Sequence, residues 1–330
     1  MSLITELLDP FERMLDDISP PSVVRAIERG GDTDALWQAI EESGFLDALV
    51  NEENGGAGLS FSDIGTFAQL LGRKLAPVPI MQTMAARALL TNSDITVPEG
   101  PILLISPFKQ EQGYYAAAIP LATKASHALV DCGDRLVLTE LTQAQTTPNA
   151  IHASESADLR WSDAPPGPTL PRPADGLRSI AATLRAAEIA GACDRLLTMT
   201  VSYAGERVQF GKPIGKLQAV QQQLAVMAEQ VAMACMAAEM GCASGFPAPL
   251  FAAATAKQVT SSAAAQVAAI AHAVHGAIGF SEELDLQLYT RRLYEWRIAD
   301  GSESYWAAII GRQRLADGNT VSIDFIRAQC

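Results

Sequence analysis

Paired cysteines, basic charge and unbroken apolar runs are all scarce in this 330-residue sequence. The five cysteines, Cys132, Cys193, Cys235, Cys242 and Cys330, are odd in number and show no CxxC spacing. That argues against a disulfide framework or a zinc site, and for free thiols in a reducing cytoplasm. Lys and Arg total 24 against 37 acids, a formal net charge of −13. A general nucleic-acid binder needs a basic face, so that class drops out. An anionic small molecule remains open, because a few local arginines can hold a phosphate. No stretch approaches 18 uninterrupted apolar residues. The most apolar, Ala263 to Ile278, is mostly alanine and contains His272 and His275, so no membrane span is expected. The opening residues MSLITELLDPFERMLDD carry acids and no basic n-region, so no secretory signal is expected either.

What is present is a globular composition, 48% hydrophobic and 18% charged, on a chain long enough for two or three units and a large core. Residues 1–98 read as helical. Asp34 opens a helix that Gly44 stops, and Ser62 to Leu75 forms another with Ile64, Phe67, Leu70 and Leu71 on one side. Between them, residues 51–58 contain three glycines and two asparagines and read as a turn cluster. The texture changes near Pro98. Ile102–Ser106, His127–Asp131 and Arg135–Glu140 are short β-rich runs, the last two joined by a plausible hairpin turn. Residues 99–164 therefore read as a small β unit. No GxGxxG follows a strand, so a Rossmann site has no support. Five prolines from Pro165 to Pro173 mark residues 165–175 as a stiff linker. Residues 176–330 are helical again. Leu217, Val220, Leu224, Met227, Val231, Ala234 and Ala238 make one apolar stripe, and an alanine-rich helix from about Leu250 to His275 suits the centre of a four-helix bundle.

The segment Tyr203-Ala-Gly-Glu-Arg-Val-Gln-Phe-Gly-Lys-Pro-Ile-Gly-Lys-Leu-Gln218 resembles the hallmark of the acyl-CoA dehydrogenase family. There an arginine is followed by Phe-Gly and, eight residues after the phenylalanine, a glutamine; here these are Arg207, Phe210, Gly211 and Gln218. His275-Gly-Ala-Ile-Gly-Phe280 resembles the family's glycine-rich turn, with Ala273 and Ala277 departing from it, and Gly55–Gly58 and Gly72-Arg-Lys are family-like. The resemblance implies a mostly α fold: an N-terminal helical domain, a small middle β domain and a C-terminal four-helix bundle. It also implies FAD, held by Arg207, Gln209, Phe210, Gln218, Gly276 and Ser302, with the Arg207–Gln218 segment reaching across a subunit interface to a neighbour's cofactor. The residue reading agrees. Arg207 and Phe210 are expected one turn apart at a helix end, where a guanidinium can grip a pyrophosphate and a phenyl ring can cover the cofactor. His275 reads as a packed histidine.

Family members abstract the substrate's α-proton with a glutamate twenty residues beyond the aromatic residue of the glycine-rich turn. That register falls on Asp300, with Ser302 in place of a threonine. Two readings stand: Asp300 is a shortened general base, or it caps the helix that begins near Ser302. Some members place the base on an earlier helix; that position is near Ala181, which cannot serve. The family's flavin-holding loop is missing from Ala118–Ser126. The chain thus keeps what the family lends to a neighbour's FAD and lacks much of what holds its own.

Four functions follow from the resemblance. The first is an acyl-CoA dehydrogenase that desaturates a CoA thioester with Asp300 as base and passes electrons to an electron-transfer flavoprotein, as a homo-oligomer. The second is an FAD-sharing, non-catalytic subunit of an α2β2 enzyme for sterols or other bulky acyl-CoAs. The third is a nitroalkane-type flavin oxidase, and the fourth a flavin-free helical interaction protein.

Overall fold

The computed structural model describes residues 3–318 and 320–328; Cys330 lies outside them. Five helices come first: α1 (Leu3–Ile18), α2 (Pro21–Glu28), α3 (Asp34–Glu42), α4 (Phe61–Lys74) and α5 (Ile80–Thr91). Gly44 stops α3 with φ 74, as its sequence promises. Ser60 and Asp63 close a capping box on α4, since each side chain takes the other's backbone N–H. Phe11, Phe45 and Phe67 meet edge-on or tilted at 4.8–5.9 Å and pin α1 to α4.

The β unit has eight strands, where the sequence marks three. β1 (Ile102–Ile105), β4 (His127–Asp131), β5 (Arg135–Glu140) and β8 (Thr169–Pro171) form one sheet in the order β1-β4-β5-β8, with only β1 and β4 parallel. β2 (Phe108–Lys109), β3 (Tyr114–Ile119), β7 (Ala157–Trp161) and β6 (Gln145–Pro148) form a second, antiparallel sheet. The hairpin expected at Asp131–Asp134 joins β4 to β5, and Gly133 takes φ 95 there. Strand alternation explains why β1 is buried on both faces. Leu103 and Ile105 join the core between the two sheets, while Ile102 and Leu104 pack on the helices. β8 lies inside the proline-rich stretch expected to be a linker. It pairs on one side only, against β5, which is where prolines are tolerated.

The remainder is helical: α6 (Gly176–Glu206), α7 (Gln218–Ala243), α8 (Leu250–His275), α9 (Leu286–Ile298), α10 (Glu303–Ala316) and α11 (Ser322–Arg327). α8 is central, as its alanines suggest, and packs on α6, α7, α9 and α10. α7 and α8 are each long and apolar enough to cross a membrane by length and composition alone, yet they lie side by side in this bundle. A two-stranded hairpin, β9 (Val208–Gln209) with β10 (Lys212–Pro213), joins α6 to α7.

Candidate functional site

The motif residues do not sit on a helix. α6 ends at Glu206, and Arg207 is already extended at ψ 117. Gln209 pairs with Lys212 around a two-residue turn in which Phe210 (φ 53) and Gly211 (φ 76) both lie in the left-handed region. That is what a tight hairpin demands, and a phenylalanine there is strained. The expected one-turn spacing of Arg207 and Phe210 is therefore corrected: alternation along the strand puts Arg207 and Gln209 on one face, and Phe210 is at the tip. Ile214 anchors the hairpin against Ala204 and Val274, and its N–H donates to the Arg207 carbonyl at 2.8 Å. Phe210 is 87% exposed, and Arg207, Gln209 and Gln218 are exposed too. No side-chain partner is made by Arg207, Gln209 or Gln218 among the described residues.

The glycine-rich turn shares this end of the bundle. Gly276 ends α8 at φ 63, ψ −144, a conformation open in practice only to glycine. His275 is buried, stacks on Tyr203 at 4.3 Å, and its Nδ1 lies 2.8 Å from the Ala271 carbonyl. It is a packing residue, as its sequence context suggests. Tyr203 donates to the His275 carbonyl at 3.4 Å, which ties the hairpin stem to the turn. His272 stacks on Phe280 at 4.4 Å. Burial pushes both imidazoles below their usual range, favouring the neutral ring.

Asp300 and Ser302 lie elsewhere. Arg185, which contacts Asp300, lies on α6 about six turns before Arg207 at the helix's C-cap, roughly 33 Å at 1.5 Å per residue. Arg207 and Asp300 therefore belong to different sites within one protomer. Asp300 takes φ 58 and Gly301 φ 106 in the turn between α9 and α10. The helix cap is Ser302, whose hydroxyl accepts the Tyr305 N–H at 3.3 Å. The capping reading of Asp300 is thereby corrected: the turn already has its cap one residue before the helix. The Asp300 carboxylate instead accepts from Arg185 Nε at 3.3 Å. Arg185 also donates to Glu188 at 2.6 Å and lies 5.4 Å over the Trp296 ring.

Sequence reading missed this buried charge cluster entirely. Lys257 is fully buried and donates to Ser261 and to the carbonyls of Trp296, Arg297 and Gly301 at 2.8–3.1 Å. It thus ties the end of α9 to the Asp300 turn. Trp306 is equally buried and donates to the Asp300 carbonyl at 3.2 Å. Burial lowers the Lys257 ammonium to about 7 and raises the Glu188 carboxyl above its usual range. One available signal was the isolation of Lys257: no other Lys or Arg occurs between Lys216 and Lys257.

Two clefts flank the turn. One, about 340 Å³, lies between the β unit and the start of α6 and is lined by Lys109, Asp131, Arg172, Arg178 and Tyr305 among others. Arg178 is held there over the rings of Phe108 and Tyr305, at 5.6 and 5.1 Å. The other, about 260 Å³, lies between the β unit and α9, with Ala118, Ile151, Tyr294 and Ile298 at its wall and Glu28, Arg292 and Glu295 at its base. Asp300 lines neither.

FAD fits one end of this chain and not the other. The hairpin offers a guanidinium, two amides and an exposed ring with no partner of their own, a donor set suited to a pyrophosphate. The stretch Ala118–Ser126 offers a flavin ring little. Its Thr123 hydroxyl is engaged by the Glu155 backbone and carboxylate, and Ser126 is turned to Pro101 and His127.

Residues 180–315 match the family model described as acyl-CoA dehydrogenase, C-terminal domain. The chain is 32% identical over 288 residues to acyl-CoA dehydrogenase IpdE2 of Mycobacterium tuberculosis, covering 83% of this chain and 85% of that protein. It is 31% identical over 305 residues to IpdE2 of Mycolicibacterium smegmatis, covering 89% and 93%. Among solved structures, the ChsE4–ChsE5 complex of Mycobacterium tuberculosis contains a similar chain at TM-score 0.81 and 21% identity, covering 96% of this chain and 98% of that one. The Tcur3481–Tcur3483 steroid ACAD aligns at TM-score 0.82 and 23% identity, covering 96% and 99%. Two relatives above 30% identity, matched over most of their length, and a shared three-part fold establish that this chain belongs to the acyl-CoA dehydrogenase family.

Proposed function

We propose that this chain is the cofactor-lending subunit of a two-chain acyl-CoA dehydrogenase, in which a related chain holds the flavin ring and the catalytic base. The observation that carries the reading is the separation just described. Arg207, Gln209, Phe210 and Gln218 are exposed at the C-terminal end of α6, and Asp300 is tied to Arg185 about six turns back along that helix. The substrate class is an acyl-CoA thioester undergoing α,β-desaturation. A complex of two unlike chains and a steroid acyl-CoA dehydrogenase among the structural neighbours support a bulky acyl group. FAD in such an assembly supplies hydride acceptance from the β-carbon, with reoxidation by an electron-transfer flavoprotein.

In this reading Arg207 grips the pyrophosphate in a charged, two-pronged contact, Gln209 beside it donates from the same strand face, and Phe210 covers the cofactor. Gln218 opens α7 and presents its amide to the same ligand. Gly276 leaves room for close backbone approach. Ser302 keeps its cap, and its hydroxyl hydrogen remains to be donated elsewhere.

FAD stoichiometry tests this. The chain expressed alone should bind no FAD, and co-assembled with the related subunit it should show one FAD per pair of chains. One FAD per chain in the isolated protein would overturn the lender role and return Asp300 to candidacy as base. Absence of flavin from every assembly would leave only the flavin-free interaction protein.

A further inference from the structure

Residues 207–228 carry three cations, Arg207, Lys212 and Lys216, and no acid, although the chain as a whole has a net charge of −13. All three are exposed, and none forms an ion pair or a side-chain hydrogen bond among the described residues. Glu206, the acid that precedes them, already accepts from the Ser202 hydroxyl at 2.8 Å. Like charges held close together repel, so an anionic ligand would relieve this positive island. The hairpin gives two of the cations a common direction. Gln209 and Lys212 are cross-strand partners, and Val208 and Pro213 form the next pair. Cross-strand partners share a face of the ladder, and successive pairs alternate. Lys212 therefore lies on the face of Arg207 and Gln209, while Val208 and Pro213 take the other. The left-handed pair Phe210 and Gly211 fixes this register, because a two-residue turn decides which residues oppose. Lys216 lies beyond the ladder, in the short turn Ile214–Lys216.

We infer that Lys212 is a second cofactor-holding cation of this chain, taking one phosphate of the FAD held by the related subunit while Arg207 takes the other. The inference rests on the lender role. The pyrophosphate of FAD carries two negative charges, one on each phosphate, and a single guanidinium offsets only one of them. The arginine, Phe-Gly and glutamine of the motif leave the second charge without a partner from this chain; Lys212, between Gly211 and Pro213, supplies it. The two cations divide the work by their chemistry. A guanidinium is a planar fork whose paired N–H donors fix an orientation. An ammonium on a flexible four-carbon stem is a point charge that follows whichever oxygen it faces. Lys212 thus adds attraction more than alignment, and at an exposed position that attraction is screened by salt.

The test is a titration of the flavin-free assembly, this chain with its related subunit, with FAD, followed by flavin fluorescence. At about 0.05 M salt, Lys212→Gln should weaken FAD binding by about tenfold, the loss of one charged contact. Lys212→Arg, which keeps the charge, should stay within about threefold of wild type. The affinities of wild type and Lys212→Gln should converge as salt is raised to about 0.5 M, because the missing contact is a screened charge. Thermal midpoints of the flavin-free assemblies should be the same for all three, since Lys212 is exposed and holds nothing in the protomer. Equal FAD affinity in wild type and Lys212→Gln at low salt overturns the inference and leaves the lender role standing. A Lys212→Arg variant as weak as Lys212→Gln overturns it, and so does a gap that salt does not narrow, for then Lys212 shapes the hairpin and does not hold the phosphate. A wild-type assembly that takes up no FAD overturns the lender role and this inference together.

Discussion

Asp300 stands at the register of the family's base, and under the proposed lender role its surroundings hold it as a structural residue. Its carboxylate faces Arg185, its carbonyl receives Trp306, and its turn is held by Lys257. Asp300→Asn in the assembled enzyme should leave acyl-CoA-dependent flavin bleaching within about twofold of wild type; losing a true general base would cost on the order of 10²–10⁴-fold. Arg207→Ala should weaken FAD retention by about 1.5–3 kcal/mol, roughly 10- to 150-fold, because a charged hydrogen bond to the pyrophosphate is lost. Its thermal midpoint in the absence of FAD should not move, since Arg207 is exposed and holds nothing in the protomer. Lys257 has a pH signature. Its folded value of about 7 lies below the ordinary 10.5, so between those limits the unfolded chain binds more protons than the folded one. Stability from this group is therefore lowest below pH 7 and rises toward pH 10.5. Thermal melts of wild type and Lys257→Met should show the wild type gaining on the variant from pH 7 to 10. The sequence revealed Arg207, Phe210 and Gln218 through their spacing. It hid Arg185, Glu188 and Lys257, because an isolated charge on a helix reads as solvated until tertiary packing buries it.

At the scale of elements, the long helices were legible from periodicity and the hairpin after α6 was not. Glu206-Arg-Val-Gln continues a helix-compatible pattern, and nothing local announces that Phe210 will take a positive φ. β8 hid among prolines for a similar reason: a strand of three residues bonded on one edge leaves almost no alternation to read. Glycines were more informative. A Cβ on Gly72 would overlap the Glu188 backbone carbonyl, and one on Gly191 would overlap that of Gln69, so α4 and α6 touch backbone to backbone at a reciprocal crossing. Gly72→Ala should force these helices apart at a cost of about 1–3 kcal/mol, the usual range for overpacking. Chemical denaturation would measure it. An unchanged midpoint would mean that the crossing yields without loss.

For the whole molecule, the roughly 33 Å along α6 between Arg185 and Arg207 has a genetic consequence. Each flavin centre would draw on residues encoded by two genes, so a hairpin lesion in one and a base lesion in the other would be defects of the same centre. A cell carrying both intact and hairpin-damaged copies of this chain would populate assemblies with two, one or no working centres. Flux would then fall in simple proportion to the damaged fraction, and a single intact copy of the gene would still sustain about half of it.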